Sequence, residues 1–151
     1  MTVLDVLAEE GLQDNARRVG AHLKARLEGL RDRHPLIGTV HGVGLYLGVE
    51  MIRDAATLEP ATAETAAICE RMLDLGVIIQ PTGDHQNILK TKPPLCIDVE
   101  GADFYVDALD RVLTEAGDPG QFRSQVGARD LLGLGGGHRA DDLLRTQPVD
   151  E

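Results

Sequence analysis

A regular spacing of apolar residues between positions 12 and 30 constrains the fold of this chain more than any other feature. Apolar residues recur there every three or four positions, which is the pattern of one face of an α-helix. They are Leu12, Ala16, Val19, Leu23, Leu27 and Leu30. Because the residue before a proline is disfavoured in the helical region, His34-Pro35 marks the end of the helix. The pattern therefore predicts a long amphipathic helix that packs one face against a core.

Shorter patterns on either side of this helix predict the remaining elements of the first half. Thr2 and Asp5 have the spacing of a capping box for a short helix that ends near Gly11. The alternation from Leu45 to Met51 is typical of a half-buried strand, and the glycines at 42 and 44 predict a turn or bulge between two strands. A dinucleotide-binding loop is not indicated at these glycines, because a strand follows them where that loop requires a helix.

The second half of the chain predicts two further helices around a second pair of strands. One helix is capped by Thr62, runs to Leu75 and is stopped by Gly76. Its predicted apolar face is Ala66, Cys69, Met72 and Leu73. Asp98 caps the last helix. Its apolar stripe is Ala102, Tyr105, Val106, Leu109, Val112 and Leu113. This order of elements favours an α+β fold, with a small, mostly antiparallel sheet covered by helices on one face.

Glycines interrupt every periodic pattern after position 116, and they include the run Gly135-Gly136-Gly137. We therefore expect one domain over residues 1–116, followed by a flexible Gly-rich tail over residues 117–151 with one short helix near Ala140 to Leu144. A phosphate-binding loop is not predicted in this tail, because the glycine run lacks both a preceding strand and a Lys next to Ser or Thr.

The composition argues against several classes of function. A formal net charge of -10 at pH 7 disfavours a nucleic-acid surface, which needs clustered Lys and Arg. Neither a membrane-spanning apolar run nor a signal peptide is evident, so we expect a cytoplasmic protein. Cys69 and Cys96 form no CxxC pair, and two buried, reduced thiols are expected. The histidines lack metal-ligand spacing and Ser124 lacks a nucleophile elbow, so we predict neither a metal site nor serine hydrolase chemistry.

The stretch from Gly76 to Cys96 is the most informative part of the chain for function. It reads GVIIQPTGDHQNILKTKPPLC, in which the apolar runs Val77–Ile79 and Ile88–Leu89 flank a polar loop. Two such runs predict neighbouring strands that display the loop at one end. Loops held by a rigid scaffold often carry binding groups, and two lysines follow this one, so we predict a ligand site here. A connecting loop without a ligand is the alternative.

Three segments together resemble the C-terminal small domain of class III aminotransferases, which are fold type I enzymes that use pyridoxal phosphate. The segments are HPLIGTVHGVGLYLGVE, ERMLDLGVIIQPTG and NILKTKPPLCI, they occur in the family's order, and the resemblance covers roughly Thr2 to Leu113. The family commonly has Arg-x-x-Pro-Pro where this chain has Lys90 before Pro93-Pro94, and that arginine holds a substrate carboxylate. The resemblance thus implies Lys90 as a substrate-binding residue, together with Thr82, Gly83 and Asp84 of the loop.

Lysine at position 90 changes what the resemblance implies about the substrate. An ammonium is a point charge that suits a phosphate or a carboxylate equally well, whereas arginine offers a planar fork. The version with Lys90 and Lys92 looks more similar to the branch that contains phospho-lyases of phosphoethanolamine and phosphohydroxylysine and alanine-glyoxylate aminotransferases. The alternative is that Lys90 points to solvent from an edge strand. His41 stands where the family often has arginine, and we assign it no role.

The resemblance also implies an incomplete enzyme. None of Lys24, Lys90 and Lys92 lies in the family's Schiff-base motif, so we expect no catalytic or cofactor-binding residue in this chain. Pyridoxal phosphate is expected in the full-length enzyme but not on this chain alone, which should be inactive by itself.

Three alternatives to a transaminase small domain stay open. They are a part of a phospho-lyase, a stand-alone module that binds a small anion or a protein partner, and a degenerate fragment without activity. The partners implied by the resemblance are an amine or amino acid substrate and either a second copy of the chain or a large domain that binds pyridoxal phosphate.

Overall fold

The computed structural model describes residues 2–117, which form four helices and a five-stranded antiparallel sheet. The helices are α1 (Val3–Glu9), α2 (Leu12–Arg31), α3 (Thr62–Asp74) and α4 (Val99–Ala116). The strands are β1 (Ile37–Val43), β2 (Tyr46–Asp54), β3 (Glu59–Pro60), β4 (Pro81–Thr82) and β5 (Ile88–Thr91). This architecture confirms the predicted α+β class. The expected tail, with its helix near Ala140 to Leu144, lies outside the described residues.

The helices lie on one face of the sheet, as predicted. The strand order is β1-β2-β5-β4, and β3 pairs with the end of β2. α2 packs on β1, α3 packs on β4 and β5, and α4 contacts both α2 and α3. In β2, Leu47, Val49 and Met51 are buried, because alternate side chains of a strand point to the same face. Among the described residues, no helix is long and apolar enough to cross a membrane.

α2 and α4 follow the predicted apolar stripes closely. Val19, Leu23, Leu27 and Leu30 of α2 are all buried in the core. Every residue of the predicted α4 stripe is buried as well, and the Asp98 carboxylate caps the helix by accepting from the amide of Gly101 at 2.8 Å. The capping box of α1 is present, since Thr2 and Asp5 bond each other's backbone amides.

α3 differs from its prediction in two respects. Its N-cap is Ala61, and the hydroxyl of Thr62 donates instead to the carbonyl of His85 at 2.6 Å, which ties the polar loop to the start of the helix. Its buried residues are Thr65, Ile68, Cys69 and Met72. Ala66 and Leu73 are exposed, so the predicted apolar face is partly wrong. Thr65 can be buried because its hydroxyl donates to the carbonyl of Ala61 at 2.7 Å.

The apolar run Val77–Ile79 does not form the predicted strand. The chain leaves α3 through Gly76, whose φ of 84° is left-handed as expected, and remains irregular until β4 begins at Pro81. Ile78 is 84% exposed, so this apolar side chain is not part of the core that the described residues form. The strand that pairs with β5 is therefore shorter and lies later in the chain than the apolar pattern indicates.

Only one of the two cysteines is buried. Cys69 lies in α3 against the core, and burial raises the pKa of its thiol to about 11. Cys96 is exposed in the turn that follows Pro93-Pro94, so the expectation of two buried thiols is wrong for Cys96.

Candidate functional site

The face of the sheet opposite the helices displays Lys90. In the antiparallel register, Gly48 of β2 is paired with His41 of β1 on one side and with Lys90 of β5 on the other. Residues directly opposite each other across antiparallel strands point to the same face. His41, Gly48 and Lys90 therefore form one row across the uncovered face of the sheet, and we call this surface the open face.

The side chain of Lys90 is exposed and makes no hydrogen bond, ion pair or ring contact with any other residue between 2 and 117. The other two lysines are engaged. The ammonium of Lys24 donates to the carbonyl of Gly42 at 3.2 Å, and that of Lys92 lies 5.9 Å from the centre of the Tyr46 ring. Among the three lysines, Lys90 is thus the one whose ammonium has no partner within the described residues.

Two buried contacts fix the strand that carries Lys90. The neighbouring Thr91 points to the core, where its hydroxyl is 2.9 Å from that of Tyr105 in α4. Burial raises the pKa of Tyr105 to about 12, so the phenol remains protonated at neutral pH. At the start of β5, the side-chain amide of Asn87 donates to the carbonyl of Met51 at 2.9 Å, and the Asn87 carbonyl accepts from the Met51 amide at 2.7 Å.

β5 is not an edge strand over its whole length, because it lies between β2 and β4. β4 pairs only with Leu89 and Ile88, so Lys90 extends past the end of β4. At Lys90, β5 is therefore a strand edge only on the side where β4 has ended. On its other side, Lys90 is paired with Gly48 of β2.

The three predicted loop residues lie near the beginning of β5, whereas Lys90 lies towards its end. Thr82 is opposite Ile88 and so shares the open face with Lys90. Gly83 has a φ of 86°, and its carbonyl accepts from both the backbone amide and the side chain of Gln86, which closes the turn. Asp84 is exposed in that turn. The geometry brings Thr82 to the face of Lys90, and the binding roles of Thr82, Gly83 and Asp84 stay predictions.

A groove of about 490 Å³ lies between α3 and the irregular segment that precedes β4. Its lining includes Cys69, Leu73 and Ile78, but none of the lysines. Within the described part of the chain, no group of three or more His, Cys, Asp or Glu side chains is arranged to hold a metal ion.

The described residues do not by themselves fit pyridoxal phosphate. That cofactor needs a lysine for its Schiff base and a carboxylate for its pyridine nitrogen. Lys24 and Lys92 are engaged elsewhere, and Lys90 lies on an exposed sheet face. A Schiff-base pocket is therefore not formed by the described residues alone.

The chain belongs to the class III aminotransferases. The sequence model of the family described as "Aminotransferase class-III" matches residues 1–113. The chain is 46% identical over 110 residues to alanine–glyoxylate aminotransferase 2 homolog 2, mitochondrial, of Arabidopsis thaliana, which covers 73% of this chain and 23% of that protein. It is also 36% identical over 115 residues to ethanolamine-phosphate phospho-lyase homolog 1 of Caenorhabditis elegans, covering 76% of this chain and 25% of that protein.

A solved structure with the same fold is the phospholyase from Arthrobacter in complex with phosphoethanolamine. The match has a TM-score of 0.71 and 35% identity, and covers 74% of this chain and 26% of that one. The chain thus spans about a quarter of the length of the relatives that it matches. These similarities confirm the family and the branch that the sequence resembles.

Proposed function

We propose that this chain is the substrate-side small domain of a pyridoxal-phosphate-dependent aminotransferase, and that Lys90 binds the anionic group of an amine or amino acid substrate. The observation that carries this proposal is the exposed, unpartnered ammonium of Lys90 on the one sheet face that the helices leave uncovered. The family match over residues 1–113 supports it, because members of this family transfer amino groups.

The chemistry of the cofactor is assigned to another part of the enzyme. Pyridoxal phosphate acts as an electron sink for the carbon next to the transferred nitrogen, and it requires a lysine in its own pocket. The residues of this chain would bind and orient the substrate at its charged end. By itself the chain is therefore inactive, and it works together with a large cofactor-binding domain or within a homodimer. A cytoplasmic location remains part of this proposal.

A second candidate function is phosphate elimination from a phosphorylated amine. Lysine instead of arginine at position 90 is compatible with it, because a compact ammonium suits a phosphate and a carboxylate equally well. Similarity to a phospho-lyase homolog and to a phospholyase structure adds support. The reaction that follows binding would be decided by the cofactor pocket, so the same role of Lys90 serves both functions. A stand-alone module for small anions is a third candidate that uses the same site.

Two measurements on the purified chain test the proposal. First, the chain is mixed with pyridoxal phosphate, and the absorbance of an internal aldimine is sought before and after borohydride reduction. We expect neither that absorbance nor a stoichiometric adduct at a single lysine, because only scattered adducts of exposed amines should be trapped. A stoichiometric adduct at one lysine, or turnover of an amine donor, would contradict the assignment of the cofactor to another domain.

Second, phosphoethanolamine and alanine are titrated into the chain while amide chemical shifts are followed by NMR. We expect weak binding that perturbs β5, is lost in Lys90→Ala and is kept in Lys92→Ala. The latter variant removes the same charge two residues away and serves as the matched control. Tight binding that needs Lys90 would favour the stand-alone module, whereas equal binding by both variants would contradict the role of Lys90.

A further inference from the structure

The groove beside α3 exposes apolar side chains that the described residues do not cover. Its lining includes Leu73 of α3 and Ile78 of the irregular segment before β4, which are 53% and 84% exposed. Cys69 and Ile79 also line it, and both pack against the core. Exposed apolar side chains that line one groove mark a surface that a partner covers. The groove is therefore a docking surface without an occupant between residues 2 and 117.

The charge of the groove limits what can occupy it. Among the described residues, Glu70 is the one charged side chain in its lining, and no lysine or arginine lines it. An acidic occupant would meet a like charge there, whereas an apolar occupant with a net positive charge complements the groove.

The chain itself contains such a segment shortly after α4. Residues 122–134 read FRSQVGARDLLGL, and they carry two arginines against one aspartate. The other leucine pair beyond α4, Leu143-Leu144, directly follows two aspartates, and residues 140–151 carry four acidic residues against one arginine. Charge complementarity therefore favours the segment 122–134 over the end of the chain.

The place where α4 ends brings this segment within reach of the groove. Glu115 accepts from the guanidinium of Arg71 in α3 at 2.8 Å, so the chain leaves α4 beside the helix that lines the groove. The groove residues of α3 share one helix face and Arg71 lies on another, so the groove is one helix width away, about 10 to 12 Å. The five residues that follow Gly117 span up to about 17 Å when extended. The segment that begins at Phe122 can therefore reach the groove.

We propose that residues 122–134 bind in this groove of the same chain, with their apolar side chains against Leu73 and Ile78 and an arginine beside Glu70. The short linker holds the segment at an effective concentration on the order of millimolar. A second copy of the chain must reach that concentration before it competes for the groove. Lys90 does not line this surface, so the docking does not depend on the proposed role of Lys90.

The test measures backbone amide order parameters of the full chain by NMR relaxation. In the wild-type chain, residues 122–134 should have order parameters of about 0.85, as a packed backbone does. In the double variant Leu131→Asp and Leu132→Asp they should fall below about 0.6, and the amides of Leu73 and Ile78 should shift, because a carboxylate is costly to bury in an apolar groove. The matched control, Leu143→Asp with Leu144→Asp, places the same charges at the other leucine pair and should change neither readout.

A second pair of variants changes the groove instead of the segment. Ile78→Ser removes an exposed apolar side chain from the groove, and Val43→Ser removes one of similar exposure that does not line it. Both substitutions are on the surface, so the fold is kept. Ile78→Ser should lower the order parameters of residues 122–134, and Val43→Ser should leave them unchanged.

Order parameters below about 0.6 for residues 122–134 in the wild-type chain would overturn the docking. Groove amides that do not shift in the Leu131→Asp and Leu132→Asp variant would overturn it as well. Groove amides that shift with protein concentration would make a second copy the occupant and so contradict it too. Each of these results leaves the proposed function standing, because the role of Lys90 is measured separately at β5.

Discussion

Asn87 holds the start of β5 to the middle of the sheet through both its backbone and its side chain. The residue is 4% exposed, and its side-chain amide bonds the Met51 carbonyl. Asn87→Ala should lower the free energy of unfolding by about 1 to 2 kcal/mol, because a buried hydrogen bond is lost. Chemical denaturation measures this change. Gln86→Ala removes an exposed side-chain bond to Gly83 and is the control, with an expected change within about 0.5 kcal/mol. If the two substitutions changed the free energy of unfolding equally, the hydrogen bond of Asn87 would not stabilise the start of β5.

At the scale of single residues, the sequence reveals those whose role depends on near neighbours in the chain. Asp98 and the pair Thr2 and Asp5 are identifiable because a cap acts over three residues. Lys90 is a candidate from its place before two prolines, and its binding role stays a prediction. The role of Asn87 depends on which residue lies opposite it on another strand, and this register is not encoded in any local spacing.

At the scale of elements, α2 crosses the β1–β2 hairpin at a contact that only glycine permits. A Cβ on Gly20 would overlap the backbone of Gly44, which neither side-chain rotation nor a small shift can relieve. Gly20→Ala should therefore destabilise the fold by about 1 to 3 kcal/mol, as overpacked sites do. Gly29 lies in the same helix with nothing within 4 Å of its Cβ position, so Gly29→Ala should stabilise it by up to about 1 kcal/mol. Urea denaturation measures the free energy of unfolding of both variants. If the two substitutions changed it in the same direction, the close contact at Gly20 would be refuted.

Elements with one long apolar face are the ones that the sequence predicts well. The stripes of α2 and α4 persist over several turns. The α4 stripe is buried throughout, and the α2 stripe is buried from Val19 onward, while Leu12 and Ala16 are partly buried. α3 is shorter, and its buried face includes Thr65, a polar residue that the apolar pattern passes over. The run Val77–Ile79 has the composition of a strand but lacks a strand partner within the described residues, since pairing begins at Pro81. Short apolar runs therefore leave the type and the position of an element undetermined.

For the molecule as a whole, two clusters of charged side chains join α2 and the segment after it to α4. Asp103 of α4 accepts from His22 at 2.7 Å and from Arg26 at 2.6 Å. Two turns further along α4, Asp110 accepts from His34 at 2.6 Å and from Arg33 at 2.9 Å. Both clusters lie along the contact between the two helices. The charge state of Asp103 and Asp110 therefore affects how strongly α4 is held against α2 and the segment after it.

These clusters make stability depend on pH in a definite direction. The hydrogen bond from His22 lowers the pKa of Asp103. Burial alone would raise the pKa of Asp110, but the bonds from His34 and Arg33 outweigh it and lower the pKa. A carboxyl whose pKa is lower in the folded state adds stability above its unfolded pKa of about 3.9, and this stability is lost as the pH falls towards the folded pKa. We therefore expect the free energy of unfolding to fall as the chain is acidified below about pH 5.

Asp110→Asn should lower the stability at pH 7 and also reduce its dependence on pH in this acid range, because the variant has no carboxyl to protonate there. The measurement is urea denaturation at a series of pH values, with Glu28→Gln on the exposed side of α2 as the control. Asp110→Asn removes a carboxylate that accepts from Arg33 and His34 on the other side of the helix contact, whereas Glu28→Gln removes a carboxylate on the solvent side of α2. The control should therefore follow the wild-type curve. If Asp110→Asn retained the full acid dependence, the charged contact between the helices would not be the source of the acid sensitivity.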